Sequence, residues 1–253
     1  MGERMAGRRA LVWGGGTGLG FACAEAMAAE GARVFLTGRR ADKLADACAR
    51  LPEACAAVAT GDITREEDVV RVTRAAQDFL GGLDVVVTSS GTSARGSIFN
   101  ATAEDFRRLI DLNVTGTFLA VRHAAEALVA SGDAAVVCIA STTAITAMRE
   151  RVAYAASKAA VLGMVRAMAL DFAGKGVRVN AISPSLVMTE LAHEILSREA
   201  DPKATLAARK AQHPMGRLGE PADVGRACVY LASSESGWMT GQNVVLDGGM
   251  TII

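Results

Sequence analysis

A chain of 253 residues, 51% hydrophobic and 21% charged, has enough apolar material for one large core. Its 27 basic and 27 acidic residues balance, and no basic run exceeds Arg8-Arg9 or Arg39-Arg40, so neither nucleic acid nor an anionic membrane surface is an expected partner. The apolar stretch Ala10 to Trp13 after Arg4, Arg8 and Arg9 is far shorter than that of a signal peptide, and no run of about 18 apolar residues is apparent, which points to a cytoplasmic chain without membrane spans.

Short β-branched runs then alternate with Ala-rich helical stretches. The first run, Ala10 to Trp13, passes through Gly14-Gly15-Gly16-Thr17-Gly18-Leu19-Gly20 into a helix from Leu19. Glycines in such a turn let the backbone approach a pyrophosphate, and the helix amino end offers donors and a favourable dipole. The spacing is GxxxGxG rather than GxGxxG, and a tight turn alone would use the same residues. The second run, Arg33 to Thr37, ends in Gly38-Arg39-Arg40 before a helix from Asp42. An acid there would accept the ribose 2′-hydroxyl of NAD. None is present, and Arg39 can pair with a 2′-phosphate, so NADP(H) is favoured. NAD(H) stays as the alternative because an arginine can also stack on adenine or remain solvated.

Further runs are Ala56 to Ala59, with Asp62 and Ile63 before a helix from Arg65 to Leu80, and Asp84 to Thr88, with Ser90 and Gly91 before a helix after Thr102. Ala134 to Ala140 precedes a helix at Tyr154, and Arg178 to Ile182 and Asn243 to Asp247 complete the set. Near-continuous apolar strands separated by helices predict an α/β fold: one domain over 1–253, a doubly wound parallel sheet of Rossmann type, about seven strands with helices on both faces. Ligands then gather at the carboxyl ends of the strands. Leu186 to Pro214, charged and helical in pattern, is long for a connection and reads as a substrate lid inserted at about 186–214. Cys23, Cys48, Cys55, Cys138 and Cys228 include no CxxC pair and read as reduced thiols. His123, His193 and His213 have no metal-binding spacing, and no metal is expected.

Tyr154 and Lys158, four apart, stack a phenol and an ammonium on one helical face. A cation beside a phenol favours the phenolate and makes acid–base work feasible near neutral pH. Ser141 lies about a dozen residues upstream, Asn113 precedes it in Leu112-Asn113-Val114, and Asp247-Gly248-Gly249 stands near the end. With these residues and the glycine turn, the chain resembles the short-chain dehydrogenase/reductase family over essentially its whole length. The resemblance implies that Tyr154 exchanges a proton with a ketone or alcohol, Lys158 binds the nicotinamide ribose and lowers the phenol's pKa, and Ser141 orients the substrate oxygen. Asn113 would hold a water linking Lys158 to solvent. The dinucleotide would rest on Gly14, Gly16, Thr17, Gly18, Leu19 and Gly20, with Gly38 and Arg39 at the ribose and Asp62 and Ile63 at the adenine. Asp62 can equally be a capping acid near Thr64. Ser90, Gly91, Tyr154, Lys158, Pro184, Val187 and Thr189 would complete the cofactor-binding set. The family's usual Thr before the glycines is Trp13 here, its Asn-Asn-Ala-Gly is Thr88-Ser89-Ser90-Gly91, and its Pro-Gly is Pro184-Ser185.

For the substrate, Thr143, Arg149 and Arg151 lie between Ser141 and Tyr154. The two arginines can receive an anionic group, or join Glu150 in a solvated or subunit-contact network. Arg95, Met188, Leu191 and His193 are rim candidates by position. The expected activity is hydride transfer between nicotinamide and a secondary alcohol or ketone of a small molecule. Two alternatives are a 3-oxoacyl-carrier-protein reductase and a non-catalytic nucleotide-sensing or scaffold protein of the same fold. The first lacks its basic docking patch, since Ala130 to Ala134 and Ala169 to Asp171 carry little positive charge. Enoyl reductases of related fold space their Tyr and Lys more widely. The Ala-rich helices Val114 to Leu128 and Tyr154 to Phe172 imply, by the same resemblance, a homotetramer.

Overall fold

The computed structural model describes residues 3–52 and 56–253. Seven strands form one parallel sheet: β1 (Arg9–Trp13), β2 (Arg33–Gly38), β3 (Ala56–Thr60), β4 (Val85–Thr88), β5 (Ala134–Ile139), β6 (Val177–Pro184) and β7 (Asn243–Leu246). Their order is β3-β2-β1-β4-β5-β6-β7, with register Ala10↔Val34 on one side of β1 and Ala10↔Val85 on the other. The order reverses between β1 and β4, which opens a crevice at their carboxyl ends.

Alternation along each strand feeds two cores. Leu11, Trp13, Val86, Val136 and Cys138 pack with α3 (Glu66–Leu80), α5 (Gly116–Ser131) and α6 (Val152–Asp171). Ala10, Val12, Val85, Val87 and Val137 pack with α1 (Gly18–Ala29), α2 (Ala41–Ala49) and α9 (Pro221–Ala232). Helix α3 shows the cause: Val69, Val72, Ala76 and Leu80 recur at helical spacing and are all buried. Each such Val or Leu contributes about 1.5–3 kcal/mol. Gly81, in the left-handed region at φ 80°, ends that helix. Helices α1 and α9 approach closely at Gly225, where a Cβ would stand 2.7 Å from the Ala22 carbonyl oxygen.

Three features add to the sequence reading. The helix α4 (Ala103–Ile110) does not stop before α5 but runs into it through a π-helical turn, Asp111–Thr115, which holds Asn113; one extra residue per turn is invisible to helical periodicity. The 186–214 segment carries two helices, α7 (Glu190–Ser197) and α8 (Pro202–Ala211), parted where Asp201 accepts from the Ala204 amide at 2.9 Å and Pro202 starts the second. Among the described residues one helix, α6, is long and apolar enough to cross a membrane by length and composition, though Lys158 and Arg166 interrupt its apolar run. Its buried Val161, Leu162 and Val165 belong to the core under the sheet. Cys23, Cys138 and Cys228 are buried and Cys48 half-buried, all unpaired; Cys55 lies outside the described residues.

Candidate active site

The crevice is built from strand ends. Gly14, at φ 77°, leaves β1 so close to the loop after β4 that a Cβ would lie 2.7 Å from the Ser90 amide nitrogen. A Cβ on Gly20 would meet the Gly14 carbonyl oxygen at 2.2 Å, so α1 starts directly on the turn. Thr17, the residue preceding α1, caps no amide with its side chain, which leaves first-turn N–H groups of Gly18 and Leu19 for an anion. Gly16 sits over Leu44 and Lys43 of α2, and Gly18 faces the Thr189 methyl group. Gly38 ends β2, and Arg39 follows it exposed to solvent. Arg40, not singled out from the sequence, donates to Thr17 Oγ1 at 3.1 Å, so a second guanidinium stands at the glycine turn. Its signal was adjacency to Arg39.

Asp62 accepts from the Thr64 amide at 3.0 Å and its hydroxyl at 2.8 Å, a local turn that leaves its other carboxylate oxygen free of these bonds. Ile63 is buried against Gly116. Gly91 borders the deepest part of the crevice: a Cβ there would be 3.1 Å from Asn113 Oδ1 and 3.5 Å from Lys158 Nζ. Pro184 ends β6, Val187 bridges to Gly219, and Thr189 begins α7 by accepting from the Ala192 amide. A glycine cradle, free helix amides, two guanidinium groups at the end of β2 and a cleft that only Gly91 leaves open fit a nicotinamide dinucleotide.

The four residues Asn113, Ser141, Tyr154 and Lys158 converge. Asn113, buried in the π-helical turn, donates from Nδ2 to Ser157 Oγ at 2.9 Å and to the Thr92 carbonyl at 3.1 Å, while its Oδ1 accepts from the Thr92 amide at 3.0 Å. Ser141 Oγ accepts from the Thr143 amide at 3.2 Å and the Thr143 hydroxyl at 2.9 Å, which leaves the serine's own proton to donate elsewhere. Thr143, predicted as a substrate contact, thus orients Ser141. Lys158 is buried and donates from Nζ to the Ile139 carbonyl at 2.8 Å, with Nζ 6.0 Å from the centre of the Tyr154 ring.

Burial raises the Tyr154 pKa above its ordinary value; the hydrogen bond with Ser141 and the charge of Arg151 oppose that rise without reversing it. Burial lowers the pKa of Lys158 to about 8. Arg151, just before α6, is thus a second cation near the phenol beside Lys158 one turn beyond.

The substrate candidates divide. Arg149 and Arg151 line a cavity of about 510 Å³ with Ser97, Ile98, Met148 and Val152. Met188 and His193 line another, of about 680 Å³, against Gly18 and Phe21 of α1, so they flank the glycine turn instead. Arg95 and Leu191 are exposed. His213, considered in the sequence only as a metal ligand, is buried at the end of the 186–214 segment. Its Nδ1 meets the Arg209 carbonyl at 2.8 Å and must donate, so Nε2, 3.0 Å from Ser185 Oγ, accepts. Gly248 packs on this imidazole's Cβ and Gly249 on Pro214; the Asp-Gly-Gly signature therefore seats the base of the segment.

Known proteins share this arrangement. A family profile described as enoyl-(acyl carrier protein) reductase matches residues 14–251. The whole chain is 34% identical to 2-(S)-hydroxypropyl-CoM dehydrogenase 3 of Xanthobacter autotrophicus, across all of that protein. Over 99% of its length it is 35% identical to glucose 1-dehydrogenase of Gluconobacter oxydans, of which it covers 94%. A crystal structure from Sinorhizobium meliloti, provisionally a short-chain alcohol dehydrogenase, matches with a TM-score of 0.91 at 30% identity, over 98% of this chain and 97% of that one. The chain belongs to the short-chain dehydrogenase/reductase family, and is an oxidoreductase acting on CH–OH groups with a nicotinamide dinucleotide.

Proposed function

We propose that this protein transfers a hydride between NADP(H) and a secondary alcohol or ketone of a small molecule, with Tyr154 as general acid/base. The observation that carries the reading is the convergence of Ser141, Tyr154, Lys158 and Asn113 beneath a crevice whose β2 end bears Arg39 and Arg40. When bound, the dinucleotide supplies or accepts the hydride. In reduction, Ser141 Oγ donates to the ketone oxygen and holds it beside Tyr154, whose Oη delivers the proton. In oxidation the same groups receive them. Lys158 holds the ribose and replenishes the tyrosine's proton, and Asn113 fixes the wall of the relay through its bonds to Thr92 and Ser157. The segment 186–214 closes over the site as a lid.

The 34% and 35% identical relatives are named as dehydrogenases of 2-(S)-hydroxypropyl-CoM and of glucose, which supports an alcohol or a sugar as substrate. A four-residue Tyr–Lys spacing with Ser141 upstream supports carbonyl rather than enoyl chemistry, whatever the profile's description. The link between α5 and β5, Gly132-Asp133, carries an acid and no basic residue, and so offers no positive docking charge for an acidic carrier protein.

Fluorescence titration with NADPH and NADH, followed by a ketone and alcohol panel read at the reduced-nicotinamide absorbance, tests the proposal. We expect tighter NADPH binding, turnover, and a loss of about 10²–10⁴-fold in kcat for Tyr154→Phe with dinucleotide binding retained. Equal turnover by that variant would remove Tyr154 from the mechanism, and tighter NADH binding would reverse the cofactor assignment.

A further inference from the structure

The cationic group beside Tyr154 shares its cavity with one acid, Glu150, yet forms no ion pair with it. Arg151 stands at the residue preceding α6, three positions before Tyr154. Its Nη1 reaches only carbonyl oxygens, those of Ala94 at 3.3 Å and Glu150 at 3.5 Å. Among the described residues no carboxylate oxygen lies within 4.0 Å of Arg95, Arg149 or Arg151. Glu150, which the sequence offers as a member of a solvated or subunit-contact network with them, makes no ion pair within 4.0 Å. It is the one described non-glycine residue at positive φ, 56°, a conformation that costs about 1–2 kcal/mol. That bend serves the backbone: the Gly96 amide donates to the Glu150 carbonyl at 3.0 Å, and the Val152 amide donates to the Gly96 carbonyl at 3.3 Å. The loop bearing Arg95 is thereby clipped to the loop bearing Arg151.

The lid brings a third guanidinium. Arg209, on α8, is paired at 3.5 Å with Glu199 of the same lid. Burial lowers the pKa of Arg151, the charges of Arg95 and Arg209 lower it further, and those of Tyr154 and Glu150 oppose this without reversing it. The adjoining cavity of about 510 Å³ adds apolar wall from Ile98, Met148 and Val152. Clipping like charges together in this way is unfavourable unless a ligand brings the opposite charge.

We propose that the substrate of this enzyme carries an oxyanion a few bonds from its reacting carbon, and that Arg95 and Arg151, with Arg209 arriving on the lid, receive it. The proposal rests on the carbonyl reduction argued above and narrows its substrate class to anionic alcohols and ketones, away from neutral polyols. Arg–oxyanion pairs are bidentate and directional, so they would fix which face of the carbonyl meets Tyr154.

The test uses the intact protein loaded with NADP+, with which a ketone forms a complex but cannot react. Calorimetric titration would compare 4-oxopentanoate, 3-oxobutane-1-sulfonate and 3-oxobutyl phosphate with neutral 4-oxopentanamide. At least one anion is expected to bind ten-fold or more tighter than the amide, and its identity names the carboxylate, sulfonate or phosphate source. That preference should fall at least ten-fold in Arg95→Gln and in Arg151→Gln, the latter checked for folding by its melting temperature. Equal binding of all four ketones, or a preference untouched by both substitutions, overturns the inference. The same ketones with NADPH separate the two readings. Turnover without charge preference leaves the oxidoreductase mechanism standing and the anion site refuted, whereas a strong charge preference without any turnover refutes the mechanism and leaves the anion site.

Discussion

Lys158 is a group the fold tolerates rather than one that stabilises it. Its ammonium is buried with a single hydrogen bond, to the Ile139 carbonyl, and its pKa falls to about 8 from an ordinary 10.5. Below pH 8 the folded state carries the full cost of a buried charge. Between pH 8 and 10.5 the folded protein sheds the proton before the unfolded chain does, so stability rises with pH across that window. Lys158→Met should therefore abolish turnover yet raise the melting temperature at pH 7 by about 2–6 °C, with the gain shrinking by pH 9 in paired thermal scans. A variant no more stable than the parent at pH 7 would contradict this account. The pairing of Tyr154 with Lys158 was legible because four-residue spacing is local information. The part played by Arg151 was not, because the influence of a charge on a phenol depends on burial and loop geometry that no spacing encodes.

At the scale of elements, the glycine turn and the lid base carry different kinds of constraint. In the turn the constraint is steric: Gly20→Ala would place its Cβ 2.2 Å from a carbonyl oxygen, and α1 must shift off the turn. Dinucleotide affinity should drop at least ten-fold with a lower melting temperature, measured by the fluorescence titration and a thermal scan. At the lid base it is a hydrogen-bonded clasp, His213 between the Arg209 carbonyl and Ser185. His213→Ala unfastens α8 from the loop after β6, and limited proteolysis should then cut within 186–214 several times faster than in the parent, while cleavage elsewhere is unchanged. Equal rates would mean that packing on Gly248 and Gly249 suffices. The strands were readable because burial on both faces makes them continuous apolar runs, as in β5, where all six residues are buried. The lid's division into α7 and α8 was not, since neither helix has a buried residue and an apolar stripe is what periodicity detects.

For the whole molecule, the outward sides of α4, α5 and α6 keep large apolar groups in water, among them Phe106, Phe118 and Leu170, the last 78% exposed. Such area on a monomer marks an interface, and with the family resemblance it supports a homotetramer. Light scattering should give a mass about four times the 26.2 kDa of the chain, and Leu170→Lys should lower it to that of a dimer or monomer. A monomeric parent would refute the assembly. The π-helical turn at Asp111–Thr115 bears on the same surface. Phe106 and Phe118 are twelve positions apart, which in an uninterrupted α-helix would set them about 120° apart around the axis. One extra residue absorbed in the turn brings the angle to about 20°. The local unwinding that holds Asn113 is thus also a phase correction, bringing Phe106 and Phe118 to nearly the same angle around the helix axis, so that a deletion there would misalign the proposed reaction centre and the proposed subunit contact together.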